Sequence, residues 1–231
     1  QRAGFEVVWY GNNSGCKGVC DKIGERRPDS EPDAALCRKG LPCFDEILLR
    51  DLERELQKPT QRKVVVLHLI GSHGPGYHLR YPAAFERYTP ACKQVDFSKC
   101  SVAEIVNAYD NTMLYTDHVL ARAINLLDER AASLHGALWY VSDHGESLGE
   151  NGVFLHALPY AIAPDLQTHV PMVFWQGQGF ERRLGVDSGC VAANRHRPIS
   201  HDYWFHSVLG LLDVVTAARR AELDVFGGCR R

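Results

Sequence analysis

Three places in this 231-residue sequence put reactive side chains directly after an apolar run. Asp143 and His144 follow ALWYV, separated from it only by Ser142, and Gly145 comes next. A carboxylate beside an imidazole is a donor pair suited to a borderline divalent cation such as Zn²⁺. Two successive residues reach one metal only if the backbone turns between them, and Gly145 is expected to permit that turn. His68 lies inside, and His73 just after, the run KVVVLHLI. Asn13, Ser14 and Lys17 follow FEVVWY and offer amide, hydroxyl and ammonium groups to an anion. Each has a plainer reading: a solvated Asp-His pair, a satisfied histidine in an apolar strand, a loop lysine. Their common placement at strand ends weighs against those readings, because open α/β sheets bind ligands outside the carboxyl ends of their strands.

Strands and amphipathic helices alternate around these positions, which predicts an α/β layered sheet with helices on both faces. Residues 5–10 read as a strand and 11–15 as the loop that ends it. Residues 17–42 read as irregular, and 44–56 as a helix with Phe44, Ile47, Leu48, Leu52 and Leu56 on one face and charges between them. Residues 63–70 read as a central parallel strand with both faces apolar. Ser101 and Glu104 form a capping box for a long helix. Its buried stripe is read as Ile105, Tyr109, Thr112, Met113, Thr116, Leu120, Ile124 and Leu127. Strands are expected at 137–141 and 170–175, and a last helix capped by Ser200 runs through Phe205, Leu209 and Leu212.

A net charge of −2 and no Lys/Arg-rich face argue against nucleic acid as a partner. Eleven histidines point mildly to metal chemistry. Six of the eight cysteines fall in three close pairs: Cys16 with Cys20, Cys37 with Cys43, Cys92 with Cys100. Such pairs bind zinc or form disulfides. The unequal spacings, longer than the usual CxxC, favour disulfides and therefore an oxidising compartment. Cys190 and Cys229 are too far apart in sequence to assign. No stretch approaches the ~20 apolar residues that span a bilayer.

The string SDHGESLGE (Ser142 to Glu150) resembles the signature of the phosphoethanolamine transferases that modify lipid A, within the alkaline phosphatase and sulfatase superfamily. SGCKGVCD, HLIGSHGPGY, RYTPAC, AYDNT, NGVFLHALPYAIAP, VPMVFW and SHDYWFHSVLGLLDV resemble the same family in order. The resemblance implies that Asp143 and His144 ligate a catalytic zinc, and that His73 and His156 bind a second zinc or the substrate phosphate. It places Asn13, Ser14, Lys17 and His68 around bound phosphoethanolamine, and pairs Cys16–Cys20, Cys37–Cys43 and Cys92–Cys100 as disulfides. Glu146 and Glu150 are expected to be loop carboxylates or to orient ligands from behind. The implied reaction moves phosphoethanolamine from phosphatidylethanolamine to lipid A (lipopolysaccharide), by a monomer on the periplasmic face of the bacterial inner membrane, and lowers the affinity of cationic peptides such as polymyxin. Rival readings are another phospho- or sulfo-transferring enzyme of the superfamily and an inactive zinc-binding fragment.

The same resemblance calls for a glutamate ligand in a Gly-Glu-Ser context after the first strand and a threonine nucleophile at a helix start. Gly145-Glu146-Ser147 belongs to the later block, and no other match occurs. The expectation is an N-terminally incomplete, sulfatase-like domain. Residues 1–231 would be part of a periplasmic catalytic domain, with the nucleophile and membrane helices upstream of Gln1.

Overall fold

The β-branched and aromatic run after Phe5 suits a pleated, half-buried backbone. In the computed structural model, which describes residues 3–28, 35–58 and 62–230, it forms β1 (Glu6–Gly11). β3 (Lys63–His68) lies parallel to it in the register Glu6↔Lys63 to Gly11↔His68, so Gly11 and His68 end the two strands together. A short β2 (Glu25–Arg26) pairs with the other side of β1, inside a segment the sequence reads as irregular. Two residues carry too little periodicity to be seen.

The chain divides into two compact units, Gln1–Ala123 with Val141–Met172, and Ile124–Tyr140 with Val173–Arg231. In the first, α1 (Ile47–Gln57) sets Ile47 and Leu48 on Val8 and Tyr10, with Val65, Leu67 and the Cys37–Cys43 disulfide beside them. Its charges are not all on the outer face. Asp45, just before the helix, and Asp51 and Glu55 within it are buried. Glu55 accepts from the Tyr10 hydroxyl at 2.7 Å, from Lys58 at 2.6 Å and from Lys63 at 2.8 Å. Burial alone would raise its carboxyl; the hydrogen bonds outweigh burial and hold it at about 2.

The capping box forms: Ser101 N donates to Glu104 Oε2 at 2.7 Å and Glu104 N to Ser101 Oγ at 3.3 Å, starting α2 (Val102–Asp128). Ile105, Thr112, Thr116 and Leu127 are buried as read, but the stripe shifts to take in Ala108, Asn111, Tyr115, Val119 and Ala123, and Met113 is exposed. Asn111 explains the shift. It is fully buried because its side chain accepts from the amides of Arg87 and Tyr88 and donates to the Tyr88 carbonyl, which a hydrophobicity pattern does not register.

β4 (Ala137–Val141) and β7 (Met172–Gln176) are hydrogen-bonded neighbours. Between them in sequence lie the antiparallel pair β5 (Ser147–Leu148) and β6 (Phe154–Leu155) and the short α3 (Asp165–Thr168). The second unit adds α4 (Gln178–Leu184), α5 (Ser188–Ala193) and α6 (Asp202–Leu211) around Val186, Leu211 and Phe226. Ser200 Oγ accepts from the Asp202 amide at 3.3 Å and so serves the first turn of α6. All eight cysteines are paired, and the bond the sequence leaves unassigned is Cys190–Cys229. Among the described residues no helix is long and apolar enough to cross a membrane.

Candidate metal and phosphate site

β5 and β6 build one wall of the site. The five residues that join them, 149–153, include Asn151 (φ 54°) and Gly152 (φ 75°), both in the left-handed region that Asn and Gly adopt most readily. Leu148, Phe154 and Leu155 pack on the cluster of Tyr77, Cys92, Ile105 and Ala108, so the hairpin rests on the first turns of α2. His156 emerges directly from β6. Its neighbours Leu155 (φ 65°) and Ala157 (φ 81°) are both held in the left-handed region. That conformation costs a non-glycine residue about 1–2 kcal/mol, and the packed hairpin sustains it.

His156 meets His144 with ring centroids 4.0 Å apart and His73 at 5.2 Å, while His73 and His144 are 6.3 Å apart. Glu146 joins them from beneath. Its Oε1 accepts from His156 Nδ1 at 3.0 Å and from the Gly74 amide at 3.3 Å, and the residue is 6% exposed. Ligand atoms of His144, Glu146 and His156 all lie within 4.8 Å of one another. Burial pushes the His73 imidazole below its ordinary value; the charge of His156 acts the same way, and that of Glu146 opposes it. Burial and the Glu146 charge push the Tyr77 phenol up.

Asp143 stands at the rim. Its side chain is 82% exposed, with Oδ2 3.9 Å from His144 Nε2. The loop bends through local bonds: His144 N donates to Asp143 Oδ1 at 3.1 Å and Ser142 Oγ to the His144 carbonyl at 2.7 Å. Gly145 is needed for a different reason than the turn. Its φ is not left-handed, but a Cβ there would lie 2.0 Å from the Leu166 carbonyl oxygen. Its amide donates to Gln167 O at 2.9 Å, which clamps the motif to α3.

Asn13, Ser14 and Lys17 share the loop after β1. Asn13 Oδ1 accepts from the Ser14 amide at 2.7 Å, and Arg27 reaches back to the Asn13 carbonyl. Lys17 is exposed at φ 49° inside the ring closed by Cys16–Cys20. His68 ends β3; its ring meets Trp9 edge-on at 5.5 Å, and its buried Nδ1 has no hydrogen-bond partner among the described residues. The structure thus gathers His73, His144 and His156 and adds Glu146, which sequence reasoning left as a supporting carboxylate. A usable signal was present. Asn151-Gly152 is a turn signal, and a chain reversal there brings His156 back toward the Asp143 loop; only the flanking strands, two residues each, are unmarked in the sequence.

A family model described as sulfatase matches residues 1–214. The chain belongs to the sulfatase family. It is 43% identical to phosphoethanolamine transferase EptA of Salmonella typhimurium, a match covering 100% of this chain and 42% of that relative. The soluble domain of lipooligosaccharide phosphoethanolamine transferase A from Neisseria meningitidis matches with a TM-score of 0.94 at 46% identity, over 100% of this chain and 69% of that one. The C-terminal periplasmic domain of EptC from Escherichia coli, in complex with Zn, matches in fold alone, with a TM-score of 0.75 at 20% identity over 97% of this chain and 63% of that one. The fold is therefore the α/β fold of the sulfatase type, and the curated relatives are enzymes. The chain spans about 42% of the length of the Salmonella relative.

Proposed function

We propose that this chain is part of a periplasmic catalytic domain that transfers phosphoethanolamine from phosphatidylethanolamine to a phosphate of lipid A. The observation that carries the reading is the convergence of His73, His144, Glu146 and His156 in a sulfatase-family chain that is similar throughout to phosphoethanolamine transferases.

The donor set fits zinc. Two imidazoles and a carboxylate are zinc's usual partners, and Glu146 Oε2 is buried with no hydrogen-bond partner among the described residues, a state a nearby cation relieves. His144, Glu146 and His156 would hold the ion, with Asp143 at the rim and His73 alongside. When bound, zinc supplies Lewis-acid stabilisation of phosphate charge. Glu146 fixes the His156 tautomer: accepting the Nδ1 proton leaves the Nε2 lone pair free for a ligand. The ammonium of Lys17 and the polar groups of Asn13 and Ser14 bind and orient the phosphoryl oxygens, holding charge as it develops. An added ethanolamine amine reduces the negative charge of the outer surface, which weakens its attraction for polymyxin and other cationic peptides.

The test is mass spectrometry of lipid A from cells expressing the full coding sequence, and its His144→Ala and His156→Ala variants. A phosphoethanolamine adduct with the natural protein and none with either variant is expected. An undiminished adduct from both variants overturns the assignment.

A further inference from the structure

Asp45 is a buried carboxylate that the proposed chemistry does not use. It lies just ahead of α1, is 2% exposed, and among the described residues does not pair with a basic side chain through any hydrogen bond. Its two oxygens serve both strand ends instead. Oδ1 accepts from Asn12 Nδ2 at 2.8 Å and from the Ile70 amide at 2.9 Å; Oδ2 accepts from the Gly71 amide at 2.8 Å. Asn12 Nδ2 also donates to the Cys43 carbonyl at 2.8 Å, which ties the same knot to the Cys37–Cys43 disulfide. Arg80 Nε donates to the His73 carbonyl at 3.0 Å, and its charge acts on Asp45 weakly against the burial that raises that carboxyl.

Asn12 directly precedes Asn13 and Ser14, and Gly71 comes two residues before His73. We propose that Asp45 is a positioning residue that locks the loop after β1 to the loop after β3, and so sets the spacing between the phosphate-binding groups Asn13, Ser14 and Lys17 and the imidazole of His73. Charge-assisted bonds to a buried acceptor are short and directional, so one carboxylate holds two loops that share no covalent link. The functional consequence rests on the transferase reading; the coupling of the loops does not.

The test uses the protein from its full coding sequence with Asp45→Asn, Asp45→Ala, Asn12→Ala and the Asn12→Ala/Asp45→Ala double variant. An asparagine keeps an oxygen for Asn12 and Ile70 but turns an NH₂ toward the Gly71 N–H. Expected for Asp45→Asn is a fall in kcat of about 10–100-fold with KM within about threefold, since misplacement by about 1 Å acts on the reacting geometry. Hydrogen exchange should rise at residues 12–17 and at 70–73 together, and stay unchanged in the β5–β6 hairpin. The double variant should lose no more than Asp45→Ala, because both removals break the same link. Exchange unchanged in either loop, full kcat in Asp45→Asn, or additive losses in the double variant overturn the proposal. If the natural protein transfers no phosphoethanolamine, the transferase reading fails, and the exchange measurement alone decides the role of Asp45.

Discussion

Glu146→Gln isolates the buried carboxylate of the site at almost constant volume. The natural side chain accepts from His156 Nδ1 at 3.0 Å and from the Gly74 amide at 3.3 Å, and keeps Oε2 buried without a hydrogen-bond partner among the described residues. Glutamine retains one acceptor for His156, removes the negative charge beneath the imidazoles, and places an NH₂ where the cation would draw on Oε2. A hydrogen bond to a charged group is worth about 1.5–3 kcal/mol against about 0.5–1.5 for a neutral one. The His156 bond alone therefore loses about 1–1.5 kcal/mol, and losing the direct charge adds to it. Removing the carboxylate partner of a metal-binding histidine typically weakens metal affinity about 10–100-fold, or about 1.4–2.7 kcal/mol, which agrees. The assay is zinc competition against a chromophoric chelator at pH 7, with thermal unfolding of the metal-free protein as a control for folding. Zinc affinity within about twofold of the natural protein would refute both the fit of the donor set and the role given to Glu146.

Gly145→Ala places a methyl group against the Leu166 carbonyl, so the motif must shift; zinc content and transfer should both fall, with a stability loss of about 1–3 kcal/mol by urea denaturation. Ala157→Gly relieves a left-handed alanine and should stabilise the fold by about 0.5–1 kcal/mol while loosening His156, so that melting temperature rises and zinc affinity drops. Cys190→Ser with Cys229→Ser opens a crosslink spanning 39 residues and should cost about 4 kcal/mol, read from denaturation midpoints. Glu55→Gln tests the buried ion cluster. The folded carboxyl sits at about 2, below its ordinary 4.5, so its stabilisation is fully present above the unfolded value and is lost as pH falls toward 2. At pH 7 the gap corresponds to at most about 3 kcal/mol, reduced toward about 2 because Arg26 and Lys58 are half exposed. The stability difference between natural and variant protein should narrow by more than half between pH 7 and pH 3.

Elements whose signals are local are legible in the amino-acid order alone. β1, β3, β4 and β7 stand out as apolar runs; α2 announces its start through Ser101 and Glu104, whose reciprocal bonds form within four residues. Asp143-His144 and His73 were visible because strand ends are where reactive residues matter. Which of these groups meet depends on the packed fold. The ring contacts of His156 with His144 and His73 depend on a two-residue β-pair too short to carry periodicity, and on left-handed residues no propensity would assign to leucine or alanine. The need for glycine at 145 comes from Leu166, twenty-one residues on. The partners of Asp45, Glu55 and Asn111 lie mostly on other elements, and a charged or amide side chain reads as solvent-facing until its donors are brought to it. Burial of a polar group is a property of its partners, and folding alone brings those partners together.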